Sequence, residues 1–338
     1  MKTRPLNRWL SVLMLYLCLV AVRVTAQDTL IRVHDPVMIR HDDRYYLFAT
    51  GRGIAVWSSP DLKNWRREAP VFNEPPSWTV ASVPGFKGYF WAPDISYNHG
   101  LYYLYYSVSA FGKNTSCIGV ATNVTLDPED PRFKWVDRGK VIQSYPGVTD
   151  WNAIDPNFVE DDEGNAYLAF GSFWGGLKLI PLMADRVTPA QDTLQPLSLA
   201  SRIRPRDRSI LTDIPVSAGD NAIEAPFIFK KNGYYYLFAS IDYCCRGVES
   251  TYKMIVGRSQ HILGPYVDDQ GVPMTEGGGK LVLAGDSQWH GVGHNAVYTF
   301  EGEDYLIFHG YDGNDNGASK LRVVKLAWDE AGWPVIPE

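Results

Sequence analysis

One short pattern, a polar turn followed by a strand of the type Tyr-Tyr-Leu-Phe-Ala, comes back four times and limits the possible folds more than any other feature. Tyr45-Tyr46-Leu47-Phe48-Ala49-Thr50 is echoed by Tyr102-Tyr103-Leu104-Tyr105-Tyr106-Ser107 and Ala166-Tyr167-Leu168-Ala169-Phe170-Gly171. Tyr235-Tyr236-Leu237-Phe238-Ala239-Ser240 and Asp304-Tyr305-Leu306-Ile307-Phe308-His309 complete the set, with leucines 57, 64, 69 and 69 residues apart. A second apolar run and an Asn/Asp/Gly turn precede each echo: Val37 to Arg40, Ile95 to Tyr97, Phe158-Val159, Phe227 to Phe229 and Ala296 to Phe300. Strand, turn, strand is a hairpin signature.

Third short runs follow most echoes, at Ile54 to Ser58, Ile118 to Thr122, Met254 to Arg258 and Leu321 to Ala327. Three or four antiparallel strands per repeat, five times over, predict an all-β chain folded as a five-bladed β-propeller over residues 27–338. A pair of stacked sandwiches would need a Gly, Pro or Ser-rich linker, and none interrupts the repeat. No stretch carries helical periodicity over three turns. Pro181 to Ile214, with mixed charges and several prolines, reads as outer strands and a long loop of the third blade.

In a propeller the innermost strand of every blade lines the axis, so the heads of the five first strands converge on one mouth. Aligned on the leucines with one residue of slack, these heads are Asp35, Trp91, Asp155, Glu224 and His294. An isolated acid before a strand is ordinarily a turn former or cap. Three acids at one mouth are another matter, because burying uncompensated carboxylates together is costly. Proximity pushes their pKa values apart, and glycoside hydrolysis uses such a division: one acid for the leaving oxygen, one base for water.

Flat faces for a sugar ring stand nearby: Trp91 in Tyr89-Phe90-Trp91-Ala92-Pro93-Asp94, Phe111 beside Gly112, and Phe173-Trp174 after Ser172. With Asn152 they form the expected substrate-binding set. Aromatics in β proteins are ordinarily core; loops that return to the axis are the exception.

Residues 1–26 differ from the rest. Lys2, Arg4 and Arg8 precede an apolar run from Trp9 to Val22, and Val24-Thr25-Ala26 supplies a cleavage-type ending, so the segment reads as a secretory signal peptide. The run is too short for a membrane span of roughly 20 residues. The expected location is therefore secreted or periplasmic. Removing the segment takes away four basic residues and no acid, changing the net charge from −6 to −10. An acidic chain of this kind makes a poor partner for nucleic acid or anionic membranes, and it is expected to work as a monomer.

Cys117, Cys244 and Cys245 remain, and the neighbouring pair either closes a vicinal bridge or stays as two thiols. Asn114-Thr115-Ser116 and Asn123-Val124-Thr125 match glycosylation acceptors. Asp312 to Gly317 imitates half of an EF-hand loop, yet Val323 stands where the bidentate Glu belongs, which excludes that site.

His34-Asp35-Pro36-Val37, Phe90-Trp91-Ala92-Pro93-Asp94-Ile95, Asn152-Ala153-Ile154-Asp155-Pro156-Asn157, Ile223-Glu224-Ala225-Pro226-Phe227 and Gly293-His294-Asn295 resemble signature segments of glycoside hydrolase family 43. The resemblance runs from about residue 30 to the C-terminus, and within the family it is greatest to the endo-acting α-1,5-L-arabinanases. It implies a five-bladed propeller and inverting hydrolysis of α-1,5-L-arabinan. Asp35 would be the general base, Glu224 the general acid, and Asp155 the carboxylate that orients Glu224 and sets its pKa. It also implies a calcium ion in the central channel, held by His294 and waters, and no organic cofactor. One imidazole is a poor calcium site alone, so solvent must supply most of the shell.

Two alternatives stay open. An exo-acting arabinofuranosidase or β-xylosidase of the same fold often carries a further C-terminal sandwich domain, and this chain ends at Glu338 after the fifth blade. A non-catalytic carbohydrate-binding propeller would be expected to lose one of Asp35, Asp155 and Glu224, and all three are present.

Overall fold

The structure, a computed structural model, describes residues 30–202 and 221–337. The expected signal peptide and the end of the Pro181 to Ile214 segment lie outside the described residues. Five antiparallel sheets follow one another along the chain. Blade one contains β1 (Val37–His41), β2 (Arg44–Ala49) and, after the two-residue β3 (Gly51–Arg52), β4 (Ala55–Ser59) and β5 (Arg66–Arg67). Blade two has β6 (Tyr89–Asn98), β7 (Leu101–Val108), β8 (Ser116–Asn123) and β9 (Val136–Ser144), with β3 added beside β6. Blade three has β10 (Asn157–Glu160), β11 (Ala166–Phe170), β12 (Leu177–Leu182) and β13 (Leu197–Ala200). Blade four has β14 (Ile223–Lys231), β15 (Tyr234–Ile241), β16 (Lys253–Ser259) and β17 (Lys280–Leu283). Blade five has β18 (Trp289–Phe300), β19 (Glu303–Asp312), β20 (Ala318–Trp328) and β21 (Pro334–Val335).

Local chemistry sets the hairpins. His99-Gly100, Asn232-Gly233 and Glu301-Gly302 each place two successive residues at positive φ, and the flanking pairs Asn98 with Leu101, Lys231 with Tyr234 and Phe300 with Glu303 close two-residue turns. That backbone matches the right-handed twist of the strands it joins. The one α-helix among the described residues, α1 (Ser77–Ser82), is too short to show in the sequence periodicity. No helix there is long and apolar enough to cross a membrane.

All five repeat leucines, Leu47, Leu104, Leu168, Leu237 and Leu306, have no exposed surface. The core lies between neighbouring sheets. Leu179 of blade three packs in one cluster with Leu237 and Ile255 of blade four, Ile118 of blade two with Leu168 and Ile180 of blade three, and Met38 and Leu47 of blade one with Ile307 and Leu321 of blade five. Polar ties add register between blades. The Asp94 carboxylate accepts from Phe158 N at 2.6 Å and Asn157 Nδ2 at 3.3 Å, and burial pushes it up to about 7. Asn157 Oδ1 in turn accepts from Ile228 N at 2.8 Å. The ring closes where residues 31–33 pair with β20, Leu321 N donating to Ile31 O at 3.0 Å.

Both asparagines of the glycosylation matches are buried in the fold. Asn114 is buried and donates to Thr149 O at 3.3 Å, and buried Asn123 accepts from Thr125 N and Lys134 N. Asp312 pairs with Lys320 at 2.7 Å, consistent with its exclusion as a calcium loop.

The interblade core predicts that Leu237→Ala lowers the unfolding free energy by about 2–5 kcal/mol. Leu263→Ala, at a half-exposed side chain, should stay within about 0.5 kcal/mol. Urea denaturation followed by tryptophan fluorescence checks both.

Candidate active site

A left-handed residue stands at the head of each first strand: Asp35 (φ 53°), Ala92 (φ 40°), Asp155 (φ 57°), Ala225 (φ 55°) and His294 (φ 52°). Four of these lie twelve residues before the blade's leucine and Asp155 lies thirteen before it. The sequence alignment is therefore corrected in two blades. Trp91 and Glu224 are not equivalent to Asp35; they each precede the equivalent residue, Ala92 and Ala225. The head-to-leucine spacing is thirteen in blade three alone, where the turn is longer, and bulges follow the heads in three blades, visible as register breaks between Trp91 and Asp94, Glu224 and Phe227, and Gly293 and Ala296. A bulge leaves one residue unpaired and bends the strand.

A left-handed non-glycine residue costs about 1–2 kcal/mol, and its amide cannot join the ladder. The preceding blade supplies the missing acceptor, from the position three past its leucine. Ala92 N donates to Thr50 Oγ1 at 2.8 Å, Asp155 N to Ser107 Oγ at 3.0 Å, His294 N to Ser240 Oγ at 2.8 Å, and Asp35 N to His309 Nδ1 at 3.1 Å. Blade three breaks the series, because Gly171 occupies that position. A Cβ there would lie 2.6 Å from Gly176 O, and φ is 129°, so no side chain fits. Ala225 N donates instead to Asp155 Oδ2 at 3.1 Å, which fixes the Asp155 carboxylate against the residue next to Glu224.

The three predicted carboxylates line one cavity of about 590 Å³, together with Trp91, Phe111, Gly112, Asn152, Ser172, Phe173, Trp174 and His294. All the sequence-predicted site residues are thus brought together. Asp35 is 7% exposed. Its Oδ2 accepts from Thr50 Oγ1 at 2.5 Å, and its Oδ1 lies 2.8 Å from His34 Nδ1 and 3.1 Å from His294 Nδ1. Burial alone would raise the Asp35 pKa, but the two imidazoles outweigh it and hold the carboxyl well below the usual range. Asp155 goes the other way: burial, then the charges of Glu224 and Asp35, push it well above the usual range against the opposing pull of His294. His294 rises to about 9, since Asp35, Asp155 and Glu224 together overcome the effect of burial. Glu224 Oε2 accepts from Ser172 Oγ at 2.8 Å.

Residues outside the predicted site set complete the wall. His34, Thr50, Lys113, Tyr243, Arg246 and the Cys244–Cys245 disulfide also line the cavity. The disulfide decides between the two readings of that pair, and Cys117 is a buried free thiol. Tyr252 is buried, its phenol pushed well above its ordinary range by burial and by Glu224, Asp155 and Asp35, with the Glu224 carboxylate also its side-chain hydrogen-bond partner. Phe111 is 84% exposed and so unlike a core aromatic. Phe173 and Trp174 are both left-handed, and Asn221 Nδ2 holds Trp174 O at 2.6 Å.

The sequence profile described as "Glycosyl hydrolases family 43" matches residues 30–334. An extracellular exo-α-(1→5)-L-arabinofuranosidase of Cellvibrio japonicus is 49% identical over 332 residues, 98% of this chain and 93% of its own. Extracellular endo-α-(1→5)-L-arabinanase 1 of Bacillus subtilis is 42% identical over 306 residues, 89% of this chain and 87% of its own. The solved α-L-arabinanase of Cellvibrio cellulosa, in complex with arabinohexaose, superposes with a TM-score of 0.87 at 48% identity, over 91% of this chain and 96% of that one.

Thr50 joins two blades through one hydroxyl, donating to Asp35 and accepting from Ala92. Thr50→Ala should therefore lower the unfolding free energy by about 1–3 kcal/mol, the cost of stranding buried polar groups. Thr50→Ser should restore most of it. Equal losses in the two variants, measured by urea denaturation, would assign the effect to the methyl group instead.

Proposed function

Because the chain belongs to glycosyl hydrolases family 43, we propose that this mouth hydrolyses the α-1,5-L-arabinofuranosidic bonds of arabinan with inversion. The observation that carries the reading is the opposite displacement of two acids in one cavity: Asp35 held ionised and Asp155 driven toward its protonated form. Asp35 acts as base and removes a proton from water as the water oxygen bonds to C1. The bond from C1 to the leaving O5 breaks, and Glu224 gives that oxygen its proton. Asp155 positions Glu224 through its hydrogen bond to the Ala225 amide. In an inverting enzyme base and acid stand roughly 6.5 to 9.5 Å apart, so that water fits between base and sugar.

Attack at internal bonds is the favoured mode, supported by the 42% identical relative named an endo-arabinanase. Release from chain ends is the second reading, supported by the 49% identical relative named an exo-enzyme. Secretion accords with both relatives being named extracellular.

Calcium at His294 remains part of the proposal. His294 Nδ1 faces Asp35, and a cation at Nε2 would displace the proton that the surrounding carboxylates favour on the metal-free ring, leaving a carboxylate to orient a metal-binding imidazole. The adjacent Asn295 amide is buried with no partner among the described residues, and an unused amide oxygen suits a hard cation with waters. When bound, calcium would add positive charge near the carboxylates.

Three outcomes test these roles. Glu224→Ala should lose about 10²–10⁴ in kcat/KM on linear arabinan, and far less on an aryl arabinofuranoside whose leaving group needs no proton; equal losses would remove Glu224 as the acid. Early digests of linear arabinan, resolved by chromatography and compared with xylan, should contain a ladder of oligomers, whereas a single short product from the start would establish exo attack. Calorimetric titration should show one calcium bound per chain, with affinity at least about tenfold weaker in His294→Ala.

A further inference from the structure

We infer that reduction of the Cys244–Cys245 bridge converts this rim of the mouth into a site for one thiophilic cation, Zn²⁺ or Cd²⁺, held by both cysteine sulfurs and His34 Nε2. The disulfide lies between β15 and β16 in the cavity wall, with Cys244 half-buried and Cys245 exposed, so a reductant and a cation can both reach it. Cys245 Sγ stands 3.8 Å from His34 Nε2. The donor atoms of His34, Cys244 and Cys245 all lie within 4.8 Å of one another. Tetrahedral zinc bonded to sulfur at about 2.3 Å and nitrogen at about 2.0 Å needs S to N separations of about 3.6 Å and S to S of about 3.8 Å. The imidazole is therefore already in place, and the sulfurs need only be released from one another.

The ring is also prepared on its other side. His34 Nδ1 lies 2.8 Å from the Asp35 carboxylate, which keeps the proton on Nδ1 and the lone pair on Nε2. Nε2 now pairs with the Tyr311 hydroxyl at 2.7 Å, and that oxygen accepts from Cys245 N at 2.8 Å. One tyrosine thus ties the cysteine loop to the imidazole, and a cation would replace its hydrogen bond to Nε2. Bonded sulfurs are weak ligands and thiolates strong ones, so the redox state gates the site. With a water-soluble phosphine, two electrons pass from phosphorus to the S–S bond and water supplies the oxygen of the phosphine oxide and two protons. The products are two thiols, whose protons leave when the metal binds. A metal on His34 ties Asp35 to the far side of the ring. This consequence for turnover, though not the binding itself, rests on Asp35 being the catalytic base.

Cadmium titration of the full chain, oxidised or reduced with phosphine and desalted without air, tests the inference by calorimetry and by thiolate-to-cadmium absorbance. Reduced protein should bind one Cd²⁺ at least a hundredfold more tightly than oxidised protein. Cys245→Ser, and reduced protein alkylated before titration, should fall to the oxidised level, and His34→Ala should bind at least about tenfold more weakly than reduced wild type. Arabinan hydrolysis by the reduced protein should fall in proportion to bound cadmium and return on chelation. Equal affinity in both redox states, or full affinity in Cys245→Ser, overturns the site. Absence of arabinan hydrolysis in untreated protein would instead overturn the catalytic reading and leave the binding result standing.

Discussion

The mouth depends on one interaction: a left-handed residue at the head of each inner strand, whose amide is accepted by a side chain from the blade before it. Without that acceptor each head would carry both backbone strain and a buried unpaired N–H, a combination that folded chains rarely tolerate. Thr50, Ser107, Ser240 and His309 provide it four times. Each contact also fixes one blade against the next at the axis. The same hydrogen bonds therefore hold the ring and aim its inner strands.

Chemistry enters where the series is broken. Gly171 cannot carry a side chain, and Asp155 takes over the Ala225 amide. A carboxylate is thereby placed beside Glu224 by the geometry that elsewhere needs only a hydroxyl. In the last blade His309 serves as acceptor with its Nδ1, and burial and the neighbouring imidazoles keep it well below its usual pKa range. It stacks on His34 with ring centroids 3.9 Å apart. Asp35 thus sits among three histidines of unlike character, and the charge of His294 and the proton of His34 keep it ionised despite burial.

Much of this was legible in the sequence, because strand alternation and turn chemistry are local. The five leucines, the glycine turns and the heads of the inner strands all follow from patterns within about fifteen residues. The acceptors were visible too, as the last residue of every echo, but their role was not. It requires knowing that Thr50 faces Ala92 and that Gly171 leaves Ala225 unserved, which are relations between blades. The one-residue offset at Trp91 and Glu224 arises because the spacing from head to leucine is twelve in four blades and thirteen in one, and the strand pattern alone does not say which. His34 could have been found from its place beside Asp35. The Tyr243 to Arg246 wall reaches the mouth through the path of its loop, which strand and turn patterns do not encode.

The central claim, that an ionised Asp35 delivers water to the face of the sugar opposite Glu224, has a direct stereochemical readout. Proton NMR during the first minutes of arabinan hydrolysis should show new reducing ends in the β configuration, changing to the equilibrium mixture only later. New ends appearing first in the α configuration would contradict it.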